Sequence, residues 1–369
     1  MLEVVDILRR YGDGYLQRFG QKMLPSQHRA FADILNCRTA VMGGHMYQCD
    51  QCGYQHYCYH SCGNRSCPKC HKNDTTTWLR QRRQELVNVE YYHVVFTLPG
   101  QLRRIVRLHQ KKLYTILMKA AAQAVIKLAR DPHYVGGLIA VMCILHTWSR
   151  TLAYHPHVHC LVPAGGISSD RQQWLPARNN YLVPVKALSK VFRGIFTDMV
   201  RSQLPHLELP ASLWHKNWVV YCKPTIQGPD KVLNYLARYV HRVAITNSRI
   251  ISIDDDKVTF RYQPTKSSVS KTMTLNAHEF IRRFLQHVLP KGVHKVRYYG
   301  LWSPANREYL TKMQSLLADD NKGDAPESQP QHSDTTQTQM TPPAKCPRCK
   351  TGTLVWLARI PRQGRAPPS

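Results

Sequence analysis

Between residues 45 and 72 the chain crowds six of its 12 cysteines into a stretch rich in His, Gly and Asn and nearly bare of aliphatic side chains. Such a segment cannot bury enough apolar area to order itself, so a metal must replace the core, and without it the segment should unfold. Cys49-x2-Cys52 and Cys67-x2-Cys70, with 14 residues between them, have ribbon spacing, in which each pair supplies two thiolates to one tetrahedral zinc. His56, Cys58, His60, Cys62 and His71 stand close by as substitute ligands. A third pair, Cys346-x2-Cys349, is half a site: no further ligand follows it, so another subunit completes it or the pair is vestigial. The remaining cysteines sit singly among apolar residues. Paired spacing of this kind indicates metal binding in a reducing compartment instead of a disulfide framework.

Lysine and arginine total 51 against 23 acidic residues, a net charge of +28 spread over most of the length. The folded surface is therefore expected to be cationic, and its partner polyanionic. Charge sets the partner class and leaves the reaction open. The opening Met1-Leu2-Glu3-Val4-Val5-Asp6 is acidic where a signal peptide needs positive charge, and no apolar run approaches the length of a membrane span. We expect a cytoplasmic, nucleoid-associated bacterial protein without membrane contact.

The length suits two or three units. Residues 1–44 read as two amphipathic helices that buttress the cysteine module, 45–72. A linking helix, 73–90, carries the cations Arg80, Arg82 and Arg83 on its face. A large unit over 91–317 begins with a buried strand, Tyr91 to Leu98. A long helix from about Leu102 to Arg130 follows, then strands over Leu138 to Trp148 and around Val158 to Val162. A helix near 186–203, a strand at Trp218 to Cys222 and a helix opening at Pro229 come next. Residues 248–262 read as a hairpin turning at Asp254-Asp255-Asp256, ahead of a helix near 277–288, a strand near 294–299 and a helix near 305–317. Residues 318–344, rich in Asp, Gln, Ser, Thr and Pro, read as a disordered linker, leaving 345–369 as a Cys-x2-Cys tail.

Two motifs carry chemistry. In His155-Pro156-His157-Val158-His159, positions 157 and 159 share one face of a strand because side chains alternate with period two. Two neutral imidazoles so placed grip one divalent ion, which polarises a phosphodiester by binding a non-bridging oxygen. His146, on the preceding strand, is the candidate third ligand. Farther on, Tyr235 and Tyr239 stand one helical turn apart, as do Arg238 and Arg242. Phenol, with an ordinary pKa of about 10, attacks phosphorus only where metal and base assist. The phosphotyrosine bond then stores the cleaved linkage for rejoining without ATP. Arg65, Lys69 and His71 surround the second cysteine knuckle in a layout suited to phosphate contacts.

Taken together, these residues resemble the HUH rolling-circle transposases with two tyrosines, the insertion sequence ninety-one family. The resemblance runs from Cys37-Arg38-Thr39 and Gly43-Gly44-His45 through Cys62-Gly63-Asn64-Arg65-Ser66-Cys67-Pro68-Lys69-Cys70 and the strand His93 to Pro99. It continues through the His155 to His159 motif, Tyr235 to Arg242 with Ala244-Ile245, and Arg297-Tyr298-Tyr299-Gly300. One departure is Ser66, where related chains often carry histidine. The resemblance implies an α+β fold: a central antiparallel sheet of the replication-initiator type flanked by helices, with an amino-terminal zinc-ribbon-like module. It also implies His157 and His159 holding Mg²⁺ or Mn²⁺, and structural Zn²⁺ on the cysteines. Tyr235 and Tyr239 would attack single-stranded DNA at element ends and target, leaving a 5′-phosphotyrosine and a free 3′-OH. No Walker-type glycine loop is present, so a host helicase and replication machinery would open the duplex.

A plasmid relaxase or replication initiator would share the histidines and tyrosines but rarely this zinc module. A zinc-dependent DNA-binding regulator would give no covalent adduct with DNA. Hydrolysis at a zinc-bound water would survive replacement of both tyrosines by Phe.

Overall fold

The aromatic and β-branched runs expected as strands assemble into one antiparallel sheet, in a computed structural model that describes residues 2–70, 83, 85–178, 181–215, 217–224, 240, 243–264, 267–319 and 345–363. The chain opens with α1 (Val4–Phe19), α2 (Pro25–Leu35) and a hairpin of β1 (Gly44–Cys49) and β2 (Gln55–Tyr59). Next come β3 (Tyr91–Thr97), α3 (Arg103–Leu108), α4 (Gln110–Ala129), β4 (Ala140–Trp148) and β5 (Tyr154–Pro163). A short pair, β6 (Gly165–Ile167) and β7 (Trp174–Pro176), precedes α5 (Val185–Gln203) and β8 (Val220–Pro224). The chain continues with β9 (Ile250–Asp254), β10 (Lys257–Tyr262), β11 (Lys271–Asn276) and α6 (Ala277–Leu285). It ends with β12 (Val296–Gly300), α7 (Arg307–Asp319) and β13 (Leu354–Ile360).

Sheet order is β12-β4-β5-β3-β8, every neighbour antiparallel, so β5 with its histidines is the middle strand. Alternation along β4 and β5 decides the layers. Val141, Cys143, Leu145, Val158, Cys160 and Val162 face a core completed by α4 and α5. Ala140, Met142, Ile144 and Leu161 face a smaller core with Trp302 and Met313. Both faces are thus covered, which is why these strands read as nearly continuous apolar runs.

The single long helix expected over 102–130 is broken. At His109 the backbone leaves the helical basin (φ −118°, ψ 38°), separating α3 from α4. The break leaves Leu108 71% exposed while α4 lays Leu113, Tyr114 and Leu117 on the sheet. The expected 248–262 hairpin forms, and Asp255 and Asp256 both take the positive φ that a tight turn requires there.

A further core joins α1 and α2 to α6 and the β9-β10-β11 sheet, with Cys37 and Cys67 inside it. The amino-terminal helices therefore pack on the cysteine module and on residues 244–288 together. Among the described residues no helix is long and apolar enough to cross a membrane. Of the linker expected over 318–344, residues 318 and 319 instead end α7, and 320–344 lie outside the described residues.

Candidate active site and metal centres

Register across β4 and β5 sets His146 opposite His157 and Ile144 opposite His159, so three imidazoles converge on one sheet face. Ring centroids of His146 lie 5.5 Å from His157 and 4.6 Å from His159, and His157 lies 4.9 Å from His159. One nitrogen from each ring falls within 4.8 Å of the others. His146, 2% exposed, forms the floor. A fourth histidine stands behind them: Nε2 of His93 lies 2.8 Å from Nδ1 of His159. Burial holds the His93 imidazolium down to about 4, so this ring is neutral near pH 7. Nδ1–H of His157 donates to the carbonyl of His155 at 2.6 Å, making Nε2 the lone-pair nitrogen. Sequence reasoning missed His93, although period two on β3 places it, like Tyr91, on the histidine face.

Tyr235, Tyr239, Arg238 and Arg242 lie outside the described residues, as do His71, Arg80 and Arg82. Val240, next in the chain to Tyr239, is described. It is buried in the core on the histidine face, with Met142 and Ile144. Its carbonyl accepts from Nζ of Lys295 at 2.9 Å, and that ammonium lies 5.1 Å from the centroid of the Trp148 ring. Trp148 stacks on His146 at 4.7 Å, completing a path of contacts from Val240 to the imidazole cluster. Beyond His157 a cleft of about 300 Å³ opens, lined in part by Pro99, Arg103, His155 and Trp218. Nη2 of Arg103 reaches Nδ1 of His155 at 3.4 Å.

The cysteines depart from the expected single ribbon. Cys67 and Cys70 gather with Cys37 and Cys62, whereas Cys49 and Cys52 gather with Cys346 and Cys349. The hairpin is the reason. Gly44 at its base and Cys49 at its tip are five residues apart, about 17 Å along an extended strand, too far for one ion to bridge. In the basal cluster Sγ of Cys70 lies 3.6 Å from that of Cys37 and 3.5 Å from that of Cys62. A tetrahedral ion with Zn–S bonds of about 2.3 Å spaces its sulfurs about 3.8 Å apart, so these separations fit zinc. The neighbouring Cys62 and Cys67 thiols bring that of Cys37 down to about 7. Cys37 was hidden in the sequence because it stands alone at the end of an amphipathic helix.

The cations expected on phosphate divide differently. Arg65 is committed to the fold: its guanidinium donates to the carbonyls of Val293 (2.6 Å), Leu289 (2.9 Å) and Pro290 (3.0 Å). Lys69 pairs with Glu3. Arg83 is exposed. Ser66 donates its backbone N–H to Oδ1 of Asn64 at 2.9 Å, closing the basal knuckle.

Comparison with known proteins fits this division. Residues 7–98 match the family described as "Transposase zinc-binding domain", and residues 140–309, which include the histidine cluster, match one described as "Putative transposase". The chain is 36% identical over 377 residues to "Putative transposase y4qJ" of Sinorhizobium fredii, covering 96% of this chain and 94% of that one. It is 27% identical over 316 residues to "Transposase for insertion sequence element IS801" of Pseudomonas savastanoi pv. phaseolicola, covering 79% and 74%.

Proposed function

We propose a mechanism of metal-assisted tyrosine attack for this chain, which belongs to the IS91 family of transposases with an amino-terminal zinc-binding domain. As a transposase it binds, cleaves and rejoins DNA, and its zinc-binding domain is structural. The finer reading is rolling-circle strand displacement on single-stranded DNA through 5′-phosphotyrosine intermediates. The observation that carries it is the convergence of His146, His157 and His159 on adjacent strands.

Those three residues fit a divalent cation. The backbone carbonyl of His155 engages Nδ1 of His157 and leaves its Nε2 to ligate, and in the tautomer where His93 accepts from Nδ1 of His159 the Nε2 of that ring does the same. When bound, Mg²⁺ or Mn²⁺ would supply Lewis-acid polarisation of a non-bridging phosphate oxygen. The protein's own groups do the rest. A phenolic oxygen of Tyr235 or Tyr239 gives up its proton to a base and forms a bond to phosphorus, the P–O3′ bond breaks, and the departing 3′ oxygen takes up a proton in its place. The reverse attack by a 3′-OH rejoins the strand and returns the phenol. Two tyrosines permit donor and target strands to be held together. The burial of Val240, the residue after Tyr239 in the chain, in the core on the histidine face supports this reading. Arg103, at the cleft beside His155, is suited to the phosphate of an entering strand. Host helicase and replication enzymes would supply the displaced strand.

The test is incubation of the protein with single-stranded oligonucleotide from the element end and Mg²⁺ or Mn²⁺, then mass spectrometry of the trapped conjugate. Attachment at Tyr235 or Tyr239 is expected. Either single Tyr→Phe variant should retain partial cleavage and lose complete strand exchange. Cleavage that persists in the double Phe variant, with no covalent adduct, would overturn the mechanism.

A further inference from the structure

We propose that Cys49, Cys52, Cys346 and Cys349 form a second zinc site, in which the ion clasps the carboxyl-terminal strand of the chain to its own amino-terminal hairpin. The site joins residues almost 300 positions apart and lies partly outside the 7–98 zinc-binding match. Its four Sγ atoms fall within 4.8 Å of one another. Cys49 lies 3.7 Å from Cys349, and Cys52 lies 3.7 Å from Cys346, the spacing of a tetrahedral edge.

Both halves are built as the same knuckle. The N–H of Gly53 donates to the carbonyl of Cys49 at 3.1 Å, and the N–H of Lys350 donates to that of Cys346 at 2.9 Å. Each of those fourth residues takes a left-handed backbone, Gly53 at φ 68° and Lys350 at φ 64°. For a lysine that conformation is uncommon and must be held by its surroundings. One thiol of each knuckle also accepts a backbone N–H: Cys49 from Cys52 at 3.5 Å, and Cys349 from Gly352 at 3.3 Å. Such donors steady a thiolate facing a cation.

The chain is also shaped for the tail's arrival. β13 pairs antiparallel with β1 from Cys49↔Leu354 to Gly44↔Ile360. Asp50 and Thr353 lock the tip, with Asp50 N–H to the Thr353 carbonyl at 3.1 Å and Thr353 N–H to Oδ1 of Asp50 at 2.8 Å. Two glycines make room. A Cβ at Gly352 would stand 2.5 Å from Sγ of Cys49, and one at Gly43, already at φ 67°, would stand 2.8 Å from the carbonyl oxygen of Ile360. Apolar burial at the tip amounts to Cys49, Cys346 and Leu354 with a few half-buried neighbours, too little to hold the strand unaided.

The experiment is zinc analysis of the purified full-length protein by plasma mass spectrometry, paired with native mass spectrometry. Two zinc ions on a monomer are expected, falling to one in the C346S/C349S double variant while circular dichroism of the catalytic sheet is retained. One ion in the wild type, or two in the double variant, overturns the second site. A second ion present only in dimers and released on their dissociation overturns the clasp within one chain. Where the variant fails to fold, alkylation of the wild type decides. Cys346 and Cys349 should be protected until a chelator is added, and a four-dalton mass deficit from two disulfides would refute zinc.

Discussion

Nε2 of His93 lies 2.8 Å from Nδ1 of His159, with the two rings 4° from parallel. With His93 held neutral by burial, the tautomer in which its Nε2 accepts Nδ1–H of His159 leaves the opposite nitrogen of that ring for the cluster. Replacing His93 by Leu removes the acceptor without removing a ligand. Loss of such a partner weakens metal binding about 10- to 100-fold, and His93→Gln, which keeps an acceptor oxygen, should recover most of it. Titrating Mn²⁺ against binding and against cleavage checks both, and superimposable curves for the Leu variant and wild type would remove His93 from the mechanism.

The imidazole cluster has its own preference. Three nitrogen donors would hold the transition-metal ion Mn²⁺ better than Mg²⁺, which keeps its oxygen ligands and waters, so Mn²⁺ should support cleavage at lower concentration. His157→Ala should abolish metal-dependent cleavage and leave oligonucleotide affinity, which comes from phosphate neutralisation, within about threefold of wild type with an unchanged salt slope. Gel-shift titrations across salt concentrations beside cleavage assays separate the two. A parallel loss of affinity would mean that His157 serves the DNA grip.

Much of the site was legible because strands impose a strict period: His157 and His159 had to share a face, and the apolar runs around them had to be central. The partition of cysteines was not legible. Spacing announces that Cys49, Cys52, Cys67 and Cys70 ligate metal, but which pairs meet depends on hairpin length and on a strand arriving from residue 354 onward, both tertiary facts. The intramolecular role of Arg65 was not legible for a related reason. A cation beside a zinc knuckle resembles a phosphate clamp until the loop at Leu289 to Val293 closes over it. The helix expected over 102–130 breaks at His109, where packing on the sheet overrode a continuous helical pattern, and the linking helix expected over 73–90 is not helical at 85–90.

Arg65 accordingly acts on stability. Three charge-assisted bonds to main-chain carbonyls tie the knuckle to the chain after α6, and the guanidinium is half-buried. Removing a partner of this kind costs about 2–3 kcal/mol, since the carbonyls lose their donors where water reaches them poorly. Arg65→Ala should therefore lower the thermal midpoint by several degrees and leave DNA affinity unchanged when measured on folded protein. Affinity that falls while the midpoint holds would restore Arg65 to the phosphate contacts.

Acid should weaken the fold through His287. Burial, opposed in part by the Leu152 carbonyl, brings its imidazolium down to about 3, from an ordinary value near 6.5. The ring sits among Trp148, Tyr154, Thr147 and Leu152, with Arg107 and Arg282 adding positive potential. The unfolded chain therefore binds the proton first as pH falls. The stability contributed by the neutral ring is complete above about 6.5, and it declines by about 1.4 kcal/mol for each pH unit down to about 3. His287→Gln retains polar atoms for Thr147 and Leu152 but cannot titrate, so its denaturation free energy should fall less steeply between pH 6 and pH 4 than that of wild type. Urea titrations at intervals across that range measure the slope, and equal slopes in the two proteins would assign the acid sensitivity to other groups.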